Sequence, residues 1–199
     1  MADIEARRAT EDDVDQVVAI VTAAFAQDPL WSHALAVPGG GTEHHARFWR
    51  LFVEGPLPSS WVWLANDGEA ASVWVPPGGI EMSEAQEHEF EVLAREVLGP
   101  KADPCFELLE SFEEAHPRKE PHYYLSLLAT HPDHRGHGIG MALLRHNLEL
   151  VDAEGLPAYL ESTNPVNDQR YQSAGFSPVG SFSYPGGSPL VTTMWRPGR

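Results

Sequence analysis

The sequence has one cysteine, no long apolar run and few basic residues, and each scarcity excludes a class of protein. Cys105 alone cannot form a disulfide within the chain, so nothing indicates an oxidising compartment or a cysteine metal site. No apolar run approaches the roughly 20 residues that a membrane-spanning helix needs. The 13 Lys and Arg residues face 29 Asp and Glu residues, which leaves a net charge of −16. Such a charge repels nucleic acid and anionic membranes, so neither is an expected partner.

The chain does contain enough apolar sequence for one well-buried domain. Its 199 residues match the usual size of a single domain, and 42% of them are hydrophobic. We therefore expect one domain over residues 1–199. The opening residues 1–5 do not have the pattern of a secretory signal, so the expected location is cytoplasmic.

A glycine-rich loop is the most informative feature of the chain. Arg135-Gly136-His137-Gly138-Ile139-Gly140 follows the strand-like run 123–129 and precedes the apolar positions of a helix. Free backbone N–H groups at a helix N-terminus bind anions, and glycines allow a diphosphate to approach the main chain. The alternative is a tight turn that needs glycine for its geometry only.

The spacing of this loop separates it from two other phosphate-binding motifs. It does not match the dinucleotide pattern G-x-G-x-x-G, and no Gly-Lys-Ser/Thr follows as in nucleoside triphosphate sites. It does match the pattern Arg/Gln-x-x-Gly-x-Gly/Ala, at Arg135, Gly138 and Gly140.

Helical and strand-like segments alternate along the chain, which predicts a mixed α/β fold. Thr10, followed by acidic residues, predicts the start of a helix that runs to Phe25. A hairpin is predicted over 61–75 with its turn at Asn66-Asp67-Gly68. The other predicted helices are 42–52, 83–98, 104–115, the segment from the glycine loop to 153, and a short one after Asn164-Pro165; the other predicted strands are 4–8, 123–129, 158–161, 176–182 and 190–195.

Several segments together resemble the GCN5-related N-acetyltransferase (GNAT) superfamily. They are the first helix with Phe25 and Asp28-Pro29, the strand end 74–77, the loop 131–140, and the stretch 159–164 followed by Asn167, Tyr171, Gly175 and Phe176. Within the superfamily the chain is most similar to puromycin N-acetyltransferases, in its length and in the segment 116–121. The resemblance is weakest between residues 83 and 114, which leaves the acceptor less defined than the reaction.

The resemblance implies a single α/β (α+β) domain with a mixed, mostly antiparallel sheet that is flanked by helices. Its central strands would separate at the site for acetyl-CoA, the implied co-substrate. The edge formed by Leu127, Leu128 and Ala129 would pair with the pantetheine arm. The loop from Arg135 through Gly140 would hold the diphosphate, and Asn167 would contact the pantetheine amide or a phosphate.

The resemblance and the chemistry of amide formation together single out two side chains. An amine like that of lysine is protonated at neutral pH, so a base must remove a proton before it attacks the thioester. Glu161, at a strand end, is the preferred base; its alternative is a structural carboxylate. Tyr171 lies where many members of the superfamily place the general acid for the thiolate; its alternative is a core residue that packs on Phe176.

The acceptor is expected to be a primary amine of a small molecule, attacked directly in a ternary complex, and a puromycin-like amine is one such acceptor. Phe25 and Trp31 are the candidates for an aromatic acceptor wall. No metal is expected, since the ten histidines form no recognisable ligand motif. The acidic stretch 81–114 is interpreted as a solvated face, with a cation-attracting rim as the alternative. Other hypotheses are a non-catalytic acyl-CoA sensor and an acyltransferase for a protein amine; a homodimer is a further expectation.

Overall fold

The computed structural model describes residues 2–37, 39–187 and 189–199. Seven strands and seven α-helices are present in these ranges. In chain order they are β1 (Ala6–Arg8), α1 (Val14–Phe25), α2 (Trp31–Ala34), α3 (His45–Glu54), β2 (Val62–Ala65), β3 (Ala70–Val75), α4 (Glu84–Leu98), α5 (Ala102–Ala115), β4 (Tyr123–Thr130), α6 (Ile139–Ala153), β5 (Ala158–Ser162), α7 (Asp168–Ser173), β6 (Ser177–Ser183) and β7 (Leu190–Arg196).

The strands form one open sheet in the order β1-β2-β3-β4-β5-β7-β6. β4 and β5 are parallel, and each of the other neighbouring pairs is antiparallel. The predicted fold class, a mixed and mostly antiparallel sheet with flanking helices, is confirmed. Two parallel neighbours need a crossover connection, and the glycine loop with α6 supplies it between β4 and β5. The loop therefore lies at the end of β4, in the middle of the sheet.

Capping and turn residues explain where several elements begin. The Asp13 carboxylate accepts a hydrogen bond from the backbone N–H of Thr10 at 2.8 Å, in a capping box that leads into α1. Ser83 and Gln86 form a second capping box at the start of α4. The predicted turn between β2 and β3 includes Gly68 with φ of 94°, a conformation that favours glycine. These starts and turns agree with the sequence prediction.

A buried polar contact holds α6 against the sheet. Asn147, which is fully buried, accepts hydrogen bonds at Oδ1 from Ser72 Oγ at 2.8 Å and from the indole N–H of Trp74 at 3.1 Å. Leu143, Leu144 and other apolar residues of α6 pack on the same face of the sheet. Because α6 begins directly after the glycine loop, this packing also fixes the position of the loop.

The opposite face of the sheet carries α1 and α3 to α5, and here the structure adds to the sequence prediction. Helix α2 was not predicted, because it has only four residues and its start depends on a side chain outside it. Helices α4 and α5 lie between β3 and β4 in the chain and cover this face. Cys105, on α5, is fully buried and burial raises its pKa to about 12, so its thiol is unreactive.

Candidate active site

Strands β4 and β5 pair over their first residues and then separate. Residues 123–125 of β4 pair with residues 158–160 of β5, and the later residues of β4 pair with β3. Ser126 is the extra residue of a β-bulge, because Val73 pairs with Leu127 while Trp74 pairs with Leu125. A cavity of about 990 Å³ occupies the opening between the two strands. The separation leaves one edge of β4 free for an extended ligand.

The glycine loop borders this cavity and presents unpaired N–H groups to it. Gly136 and Gly138 have φ values of 85° and 77°, and no atom lies within 4 Å of a Cβ added to either. The backbone N–H groups of residues 139–141 have no backbone partner among the described residues, since Ala142 is the first to bond back into the helix, to the Gly138 carbonyl. Gly140 is a separate case, because a Cβ there would overlap the Thr130 hydroxyl. The loop is an open cradle for an anion at the N-terminus of α6.

Arg135 and His137 of the loop have different surroundings. Arg135 is exposed, borders the cavity and donates from Nη2 to the Ala24 carbonyl at 2.7 Å, which ties the loop to the end of α1. His137 has its Nδ1 atom 3.2 Å from the His134 carbonyl and does not border the cavity. Arg135 thus remains available to an anion at the cradle, whereas the His137 side chain turns towards its own loop.

Glu161 is a partly buried carboxylate where β5 leaves β4. Burial raises its pKa to about 8, and the charge of Glu81 adds to the rise. The hydroxyls of Tyr159 and Tyr124 favour the charged form and oppose that rise in pKa. Its Oε1 atom is inaccessible and has no hydrogen-bond partner among the described residues. Burial therefore favours the protonated form of Glu161.

Glu81 is a second partly buried carboxylate of the cavity, and sequence reasoning did not single it out. It lies in the connection between β3 and α4, not on a helix face. Burial raises its pKa to about 7; a hydrogen bond with Ser126 opposes the rise, and the charge of Glu113 adds to it. The sequence interpretation had grouped Glu81 with the solvated acidic stretch. Its position in the sequence distinguishes it, because Glu81 follows the turn Pro76-Pro77-Gly78-Gly79 and precedes the helix. The helical pattern that predicts solvent exposure for the other acidic residues therefore does not apply to Glu81.

Tyr171 and Asn167, which follow β5 in the chain, also border the cavity. The ring of Tyr171 lies 6.3 Å from that of Phe176, so it packs on the core as well as facing the cavity. Burial raises the pKa of Tyr171, and the charge of Asp28 raises it further, so the phenol is protonated at neutral pH. Asn167 accepts a hydrogen bond at Oδ1 from Arg170 at 2.8 Å. Tyr171 therefore packs on the core and borders the cavity at the same time.

The family model for Acetyltransferase (GNAT) family matches residues 34–176, which is most of the chain and includes the cavity's central strands and the glycine loop. The chain belongs to the GNAT family of acetyltransferases. Enzymes of this family use acetyl-CoA as a co-substrate.

Solved structures of other proteins align with the acetyltransferase over nearly its whole length. One is a protein from Corynebacterium glutamicum described as histone acetyltransferase HPA2 and related acetyltransferase. It is 24% identical in sequence, the match covers 100% of this chain and 98% of that one, and the TM-score is 0.67. Arylalkylamine N-acetyltransferase 2 from Aedes aegypti has 16% identity, full coverage of both chains and a TM-score of 0.71. The polyamine N-acetyltransferase of Drosophila melanogaster has 18% identity, 98% and 100% coverage and a TM-score of 0.65. The likeness shows that the acetyltransferase has the same fold as these proteins.

The cavity of the acetyltransferase is also bordered by an aromatic wall. The ring of Trp49 lies 5.0 Å from that of Phe25 and 5.1 Å from that of Trp31. The Trp31 ring in turn stacks on Phe112 of α5 at 5.8 Å, with the two planes 15° apart. The two predicted residues, Phe25 and Trp31, thus belong to one larger aromatic cluster that borders the cavity.

Asp28 connects this wall to the end of β5. Its Oδ1 atom accepts hydrogen bonds from the backbone N–H groups of Leu30 and Trp31 at 3.0 and 3.1 Å, which starts α2. Its Oδ2 atom accepts a hydrogen bond from the Thr163 hydroxyl at 2.8 Å. Burial raises the pKa of Asp28 and the hydrogen bonds oppose that rise. The carboxylate therefore sets the position of Trp31 relative to the strand that carries Glu161.

All the predicted site residues except Ala129 and His137 border the cavity. The side chain of Ala129 is buried in the hydrophobic core. The carboxylates around the cavity outnumber the guanidinium groups: Asp28, Glu81, Glu87, Glu110, Glu113 and Glu161 against Arg118, Arg135 and Arg170. The lining of the cavity is therefore acidic overall.

Within the described ranges, no three or more His, Cys, Asp or Glu side chains are grouped closely enough to hold a metal ion. None of the helices in the same ranges has the length and apolar character to cross a membrane.

Proposed function

We propose that this acetyltransferase transfers the acetyl group of acetyl-CoA to the primary amine of a small molecule, by direct attack in a ternary complex. One observation supports this most strongly. A single cavity joins the glycine cradle, the free edge of β4 and an acidic aromatic wall. Both substrates can therefore meet in it without a covalent enzyme intermediate, and the unreactive Cys105 offers no acyl-carrying thiol there.

The chain has the groups that acetyl-CoA would need. The N–H groups of residues 139–141 and the space above Gly136 and Gly138 suit a diphosphate, and Arg135 adds a positive charge beside them. The unpaired edge of β4 beyond the bulge suits the amide groups of the pantetheine arm, which can pair with it as a strand does. A backbone N–H on that edge would stabilise the thioester oxygen as negative charge develops on it.

Proton transfer falls to the ionisable groups on either side of the opening. A carboxylate, Glu161 or its neighbour Glu81, accepts the proton that the ammonium group must lose before it can attack. Tyr171, held protonated, donates to the departing thiolate. The direct contact of each of these side chains with the cavity supports this assignment.

The wall chemistry favours an acceptor with an aromatic body and a cationic amine. The cluster of Phe25, Trp31 and Trp49 suits a planar ring, and the surrounding carboxylates suit an ammonium group. The names of two proteins of the same fold, an arylalkylamine and a polyamine N-acetyltransferase, support small amines as the class to test first. A puromycin-like amine belongs to the same class.

The test is mass spectrometry of products after incubation with acetyl-CoA and a panel of amines. The panel contains 2-phenylethylamine, agmatine, spermidine, puromycin and a peptide with a free N-terminus. Acetylation of small amines is the expected result. Acetylation of the peptide alone would replace the small-molecule acceptor with a protein amine. Binding of acetyl-CoA with no product from any amine would favour the sensing role.

A further inference from the structure

We propose that Glu81 is the catalytic base that takes the proton from the acceptor amine, and that Gly55 sets its position. The inference rests on the proposed function and adds a catalytic residue that the GNAT sequence pattern does not indicate. It depends on three features of the structure: where Glu81 enters the cavity, how Glu161 differs from it, and what supports its backbone.

Glu81 enters the cavity at the point where the reaction would take place. The side chain borders the opening and lies near Ser126, the bulged residue of β4, which also borders it. The bulge marks the place where β4 stops pairing with β5, so Glu81 lies beside the start of the free edge that would hold the thioester.

Glu161 is less suited to take the proton, although it borders the same cavity. Its Oε1 atom is inaccessible, and Tyr124 and Tyr159 lie against the carboxyl group. Burial raises the pKa of both carboxyl groups, to about 8 for Glu161 and to about 7 for Glu81. A base is most effective when its pKa lies near the working pH.

The end of α3 presses directly on the backbone of Glu81. A Cβ added to Gly55 would overlap the carbonyl group of Glu81 and approach the Cα atom of Met82 within 3.3 Å. Gly55 has φ of −58° and ψ of −54°, a conformation open to any residue, so the need for glycine here is one of space. The same helix carries Trp49 and Phe52 of the acceptor end. Gly55 therefore fixes Glu81 relative to the wall that binds the amine.

The proton transfers balance in this scheme. One proton leaves the ammonium group for the Glu81 carboxylate, and the free amine forms the new C–N bond while the C–S bond breaks with its electron pair on sulfur. Tyr171 gives its proton to that sulfur and recovers one from the acetylated nitrogen. The proton on Glu81 passes to solvent, so each turnover releases one proton.

The other titratable or charged groups that share the cavity with Glu81 are Asp28, Glu87, Glu110, Glu113, Glu161, His116, Arg118, His134, Arg135, Arg170, Tyr124 and Tyr171.

The direct test compares the pH profiles of kcat/KM for the amine in Glu81→Gln, Glu161→Gln and wild type. Glu84→Gln is the matched control, because Glu84 is exposed three residues away and does not border the cavity. We expect Glu81→Gln to lose about 10²- to 10⁴-fold in rate, the usual contribution of a general base, and to lose the acidic limb of the profile. The KM for acetyl-CoA should stay within about threefold of the wild-type value.

A second variant tests the position of the carboxylate and not its presence. Gly55→Ala keeps Glu81 but moves its backbone, and we expect a drop in kcat with the acidic limb retained. Circular dichroism and acetyl-CoA binding confirm that this variant is folded. A wild-type rate in both Glu81→Gln and Gly55→Ala, with the acidic limb lost in Glu161→Gln, would overturn the inference and leave the proposed function intact. A wild-type protein that acetylates no amine would overturn both.

Discussion

Replacing Glu161 with glutamine should change how stability depends on pH. The pKa of Glu161 rises from 4.5 to about 8 on folding, mainly through burial, so the folded protein binds more protons than the unfolded chain between these values. Its contribution to stability is therefore fully present below pH 4.5 and is lost as the pH rises through 8. At about 1.4 kcal/mol per pKa unit the full effect is roughly 5 kcal/mol, and solvent in the open cavity reduces it to roughly 2 kcal/mol.

The assay is urea denaturation of wild type and Glu161→Gln at pH 5 and pH 8.5. The wild type should lose roughly 2 kcal/mol more than the variant between these two pH values, through Glu161 alone. The raised pKa of Glu81 acts in the same direction, so the variant should keep part of the slope. Identical slopes for the two proteins would refute the reasoning, because they would mean that Glu161 has the same pKa folded and unfolded.

Three substitutions test the site itself. Gly138→Glu should abolish acetyl-CoA binding in calorimetry while Gly138→Asn, which tolerates positive φ, binds it; unimpaired binding by the Glu variant would exclude the glycine loop as the diphosphate site. Tyr171→Phe should lower kcat about 10²-fold or more with little change in acetyl-CoA affinity, and an unchanged rate would remove Tyr171 from the mechanism. Thr163→Val removes one hydrogen bond to the buried Asp28 carboxylate, worth about 1.5 to 3 kcal/mol, so the KM for the amine should rise. Hydrogen exchange at the Trp31 amide should stay slow, because Asp28 still accepts its hydrogen bond. An unchanged KM would mean that the contact between Thr163 and Asp28 does not position the wall.

Much of the fold could be predicted from the sequence because its signals are local. Thr10 and Ser83 each begin a helix by a capping box, and Gly68 turns a hairpin, all within four residues. The glycine loop is similarly local, since its glycines and the following apolar residues alone define the start of α6. Such features need no knowledge of distant parts of the chain.

The parts that were missed depend on contacts between distant residues. Glu81 has the same residue type as its solvated neighbours, and its raised pKa results from burial beside Ser126, 45 positions later in the chain. Helix α2 has too few residues for a periodic pattern. The Asp28 carboxylate at its start is itself held by a hydrogen bond from Thr163, 135 positions later in the chain. The His137 side chain turns from the cavity by a hydrogen bond within its own loop, which the motif does not reveal.

The most direct test of the account is the initial rate of thiol release from acetyl-CoA, with the amine varied at several fixed acetyl-CoA concentrations. Release that requires a small primary amine, with reciprocal plots that intersect, is the predicted result for direct attack in a ternary complex. Parallel plots would indicate a covalent acetyl-enzyme and contradict the mechanism. No release with any amine, in protein shown to bind acetyl-CoA, would contradict the proposed transfer itself.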